Sequence, residues 1–64
     1  MTSREIIQIA AHLIAEHGDQ ALAVAEERRD QFARQPHSDT YHHWSRIAAM
    51  TARLLHAKEL EPTR

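Results

Sequence analysis

Eleven of the 27 apolar residues in this chain are alanine, and no other feature constrains the fold as much. With Met1 set aside, fifteen apolar side chains larger than alanine remain among 64 residues to build a core. Chains of this size bury a modest share of their surface and commonly rely on disulfides, metals or association. Cysteine is absent, which removes disulfide staples and thiolate metal sites together. Packing against another chain is the remaining source of stability, so the expectation is a small helical domain that depends on an interface.

Charge and hydropathy remove several further classes. The longest mostly apolar stretch, Ile6 to Ala15, is interrupted by Gln8 and His12 and is too short to cross a bilayer, so no membrane partner is expected. The N-terminus lacks the basic, apolar and small-residue succession of a secretory signal, and a cytoplasmic location is expected. Eight Lys and Arg against nine Asp and Glu give a formal charge of −1, without the overall positive field that nucleic acid or an anionic membrane attracts. Six histidines, His12, His17, His37, His42, His43 and His56, form a charge reserve. Imidazole titrates near pH 6.5, so mild acid could reverse the sign of the net charge.

Periodicity and punctuation predict three helices at about 3–17, 20–34 and 40–60. Thr2 and Glu5 have capping-box spacing, which starts the first helix at Ser3. Ile6, Ile9, Ala10, Leu13 and Ile14 share one broad face of it, widened by Ile7 and Ala11, while Glu5, Gln8, His12 and Glu16 line the opposite side. Gly18 supplies a left-handed C-cap and Asp19 an immediate cap for the next helix, a tight hairpin connection. The second helix sets Ala21, Leu22, Ala25 and Phe32 on one face with Arg29 among them, and Pro36 ends it. Ser38 or Asp39 caps the third, whose face of Tyr41, Trp44, Ile47, Ala48, Thr51, Leu54 and Leu55 continues for four turns. Glu61 to Arg64 read as a frayed tail. Trp44, Leu55, Phe32, Leu22, Ile6, Leu13 and Ile14 are the expected centre of an all-α, single three-helix domain over residues 1–64, a helical hairpin plus a longer third helix.

Sites for chemistry are scarce. His12 with Glu16, and His56 with Glu59, are helical pairs, but two ligands fall short of the three or four that a zinc site takes. His17 suits the C-terminal end of its helix as a cap, and His43 the margin of the third helix's apolar face. There is no Cys nucleophile, no nucleophile turn and, with one glycine, no phosphate loop. No enzymatic activity, metal or cofactor is expected. Asp30 and Arg34 are spaced as a surface ion pair. Arg29 is the most informative single residue, because a permanent charge on an apolar face must find a carboxylate, a carbonyl or an interface edge, with Asp39, Glu16 and Asp19 as intrachain options.

His17-Gly18-Asp19, then Ala21, Ala25 and Arg29, and later Trp44, Ile47 and Leu54, form a pattern over about Ile6 to Leu55. On these residues the chain resembles a group of small, functionally unassigned helical proteins of alphaproteobacteria. The resemblance implies the fold and no activity. The chain departs from the group's pattern at Gln35, Pro36, His37 and Ser38, where a Gly-Asp turn would stand.

The functional expectation is a non-enzymatic helical interaction module that binds a second copy of itself or serves as accessory subunit to a larger protein. The surplus apolar width at Ile7, Ala11, Ile14, Met50 and Leu54, with Arg29 at an edge, marks the expected interface. The alternative is a small DNA-binding regulator that uses Arg46 and Arg53 on the outer side of the third helix. Nucleic acid is disfavoured because that stripe is thin and duplex affinity requires several phosphate contacts.

Overall fold

The computed structural model describes residues 2–35 and 38–60, with side chains as far as Ala57. Pro36 and His37 of the expected loop, the Glu59 side chain and the tail from Glu61 to Arg64 lie outside the described residues. Every regular element among the described residues is helical: α1 (Ser3–His17), a 3₁₀ turn (Gly18–Gln20), α2 (Ala21–Gln31) and α3 (Asp39–Leu60).

The capping box forms as the spacing predicts. The Glu5 backbone N–H donates to Thr2 Oγ1 at 3.2 Å, and the Thr2 backbone N–H donates to Glu5 Oε1 at 2.8 Å. At the other end of α1 the Gly18 backbone N–H donates to the Ile14 carbonyl, with Gly18 at φ 58° and ψ −129°. That differs from the expected left-handed cap, since φ is positive but ψ belongs to the mirror image of extended backbone, a region in which only glycine is comfortable. The chain then turns through Gly18–Gln20 with no intervening loop. Asp19 therefore lies within the 3₁₀ turn rather than capping α2, and Gln20, which precedes α2, makes no side-chain cap bond.

Helix α2 ends at Gln31, three residues short of expectation. The backbone N–H groups of Phe32, Ala33 and Gln35 donate to the carbonyls three residues back, of Arg29, Asp30 and Phe32, at 3.0, 3.1 and 3.0 Å. This tighter winding is the common way for a helix to close, and it comes just ahead of Pro36, which disfavours helical geometry in the residue before it. It also leaves Phe32 36% exposed and removes it from the expected centre. Helix α3 starts at Asp39, one residue earlier than expected, and Ser38 Oγ accepts from the Tyr41 backbone N–H at 3.2 Å as a cap.

Helices α1 and α2 each pack more extensively on α3 than on one another. The fully buried apolar residues are Ile6, Leu13 and Ile47 with four alanines, Ala10, Ala21, Ala25 and Ala48. Ile9, Ile14, Leu22, Val24, Trp44 and Met50 pack around them half-buried. Of the seven side chains expected at the centre, only Ile6 and Leu13 are buried; Trp44, Leu22, Ile14 and Leu55 are half-buried. Alanines at the helix contacts bring the backbones close, and the larger side chains are displaced to the rim. Thr51 is fully buried and satisfies its hydroxyl within α3, donating to the Ile47 carbonyl at 2.7 Å.

Candidate interaction surface

The rim left by this core is where the expected interface residues lie. Among the described residues Ile7 is the most exposed large apolar residue at 44%, Ala11 is exposed, and Ile14, Met50 and Leu54 are half-buried. Ser3, Ile7 and Ile14 recur at i, i+4 and i+11, so they follow one edge of α1. Ser3 and Ile6 line an open groove of ≈ 360 Å³ together with Arg46, Ala49, Met50 and Arg53 of α3. The edge carrying Ile7 thus borders the α3 surface that holds Met50 and the two arginines. A second concavity, of ≈ 570 Å³, adjoins it across Arg46 and Ala49 and is lined by Asp39, His42, His43 and Ser45 as well.

Arg29 does not belong to this surface. It is half-buried on α2 and pairs with its neighbour Asp30, Nη2 to Oδ1 at 3.2 Å and Nε to Oδ1 at 3.3 Å. Asp39, Glu16 and Asp19, weighed as partners from the sequence, are not the carboxylates it meets. Arg34 was the expected partner of Asp30, whose carboxylate instead takes the nearer Arg29.

One contact lay beyond sequence reasoning. The Arg28 guanidinium lies 5.4 Å from the centroid of the Trp44 ring, in a cleft that Val24, Glu27, Gln31 and Phe32 also line. Such a cation–π contact at a half-exposed site contributes about 0.5–1 kcal/mol, and it links α2 to α3. The helical pattern shows Arg28 only as a polar residue, and nothing in it sets that residue over a ring on another helix.

The histidines divide by position. His12 Nε2 meets Glu16 Oε2 at 3.0 Å, the one-turn pair expected, and His17 Nε2 lies 3.9 Å from the other oxygen of the same carboxylate. Both contacts are solvent-exposed and become ion pairs only with protonated imidazoles; exposed pairs of this kind contribute little. His17 thus points to Glu16, while the Gly18 N–H supplies the cap bond. Among the described residues no three His, Asp or Glu side chains gather into a group that could hold a metal ion. Among the described residues no helix is long and apolar enough to cross a membrane.

The Glu5 carboxyl has a displaced acidity. The bond from the Thr2 backbone N–H holds it below the ordinary carboxylate value, and the nearby His43 adds a smaller pull in the same direction.

Compared with protein-family models, with curated proteins and with solved structures, the chain matches none. The resemblance carried by His17-Gly18-Asp19 and Trp44 therefore stands on those residues alone.

Proposed function

We propose that the protein is a non-enzymatic three-helix interaction module, a short helical hairpin against a longer third helix. It completes its burial against a second copy of itself or as the accessory subunit of a larger protein, in a cytoplasmic setting. One observation carries the reading: three large apolar side chains, Ile6, Leu13 and Ile47, are buried in the core, while Ile7 stands exposed one helical turn from Ser3, which lines an open groove together with Met50, Arg46 and Arg53. Apolar residues ringed by polar ones at an exposed edge are what a docking surface presents.

Ile7→Lys tests it. The substitution sits on an exposed helical position, so the fold tolerates it, and the expected result is a fall in solution mass by light scattering together with a lower Tm. Unchanged mass and Tm would remove the self-associating form of the interaction reading. The exposed Arg46 and Arg53 favour a second reading, a small DNA-binding regulator. It requires salt-sensitive duplex binding lost in Arg46→Ala and Arg53→Ala, and it fails if no duplex shift occurs at about 50 mM salt.

A further inference from the structure

Two outward helix faces carry opposite charge at matching helical spacing. On α3, His42, Arg46, Ala49, Arg53 and His56 are all exposed and follow one another by steps of four, three, four and three. On α2, Ala23, Glu26, Glu27 and Asp30 are all exposed and stand at i, i+3, i+4 and i+7. Steps that alternate between three and four keep residues on one stripe and suit two helices lying side by side at a shallow angle. Each stripe has an alanine within it, Ala49 or Ala23, where a second helix can approach closely. The two concavities that meet at Arg46 and Ala49 provide the corresponding dip in the α3 surface.

Among the described residues these charges are not paired within the chain, apart from Asp30. Among the described residues the ion pairs are His12–Glu16, His17–Glu16 and Arg29–Asp30, so Arg46, Arg53, Glu26 and Glu27 meet no partner. Asp30 already shares its carboxylate with Arg29, which leaves Glu26 and Glu27 as the unshared acids of the α2 stripe.

We infer that the acidic α2 face of one copy docks on the basic α3 face of another, over Arg46, Ala49 and Arg53. The inference rests on the self-associating form of the interaction reading and supplies its occupant. A phosphate backbone fits less well, because Asp39 lines the same surface beside His42 and Arg46 while the complementary acids are present on this chain. The contact joins two different patches, so it is heterologous: copies add head to tail and either close into a ring or continue as a chain. One short helix on a groove whose stripe is apolar only at alanine belongs to the weak, transient class of interfaces, and charge rather than apolar burial drives it.

The test is a charge exchange followed by light scattering at several hundred micromolar chain. For the unaltered protein the association constant should fall at least about tenfold between about 50 mM and about 500 mM salt, as the Debye length shortens. Arg46→Glu with Arg53→Glu should be monomeric, and so should Glu26→Lys with Glu27→Lys. Mixed in equal amounts the two variants should associate again, because each then offers the face that the other lacks. Recovery also shows that neither variant has lost its fold. A mixture that stays monomeric overturns the inference. So do variants that each keep the parent mass; if Ile7→Lys still dissociates them, the interaction reading stands with another surface of the second copy. A parent protein that is monomeric at both salt concentrations, and is unchanged by Ile7→Lys, removes self-association altogether.

Discussion

The Thr2–Glu5 pair is the most local determinant in the molecule and the one whose dependence on pH is fixed in sign. The Glu5 carboxyl is more acidic in the folded chain than its ordinary value of 4.5. A depressed native pKa contributes stability that is fully present above the unfolded value and is lost as pH falls through the native one. Glu5→Gln keeps acceptor geometry and removes charge, so its Tm should lie below that of the parent at neutral pH. The gap should close as the pH drops below 4.5. Thermal melts followed by circular dichroism across that range check it, and a gap that stays constant would assign the stabilisation to hydrogen-bond geometry alone. Thr2, Glu5 and Ser38 were legible in the sequence because cap and capped group are three residues apart. The contact of Arg28 with Trp44 was not, since it depends on how two helices are rotated against each other.

At the scale of elements, the junction of α1 and α2 turns on Gly18. Its φ of 58° and ψ of −129° mirror the extended region open to ordinary residues, and a Cβ built there meets nothing within 4 Å. Backbone strain is therefore the whole cost of a side chain at this position. Gly18→Ala should lose about 1–3 kcal/mol in chemical denaturation. The D-alanine analogue, reachable by synthesis of so short a chain, should lose none and can gain from a stiffer unfolded state. Equal losses for both would place the cost in packing. The sequence marked this glycine as the end of α1 but not its conformation, because Asp19 as a cap and the 3₁₀ turn both satisfy the same local pattern. Likewise Pro36 announced the end of α2, while the tightening from Phe32 onward moved that end back to Gln31 and turned the aromatic ring outward.

For the whole molecule, three large apolar side chains are buried in the core, and the proposed interaction reading ties stability to association. Binding that favours the folded state raises its stability with concentration, so Tm should climb over two decades of chain concentration in scanning calorimetry; a constant Tm would mean that this core suffices alone. The thinness of the core was legible in the alanine count. Which side chains became the rim was not, because wheel positions rank residues by face and alanine-lined contacts reward small size over hydrophobicity: Ala10, Ala21, Ala25 and Ala48 sit where Trp44 and Leu22 were expected. The half-buried rim has an optical consequence. Trp44 is the only tryptophan, and it lies at one joint with the Arg28 cation over its ring. Its emission thus responds to the seating of α2 on α3, giving the chain an internal fluorophore that would signal a ligand or neighbour able to lift that arginine away.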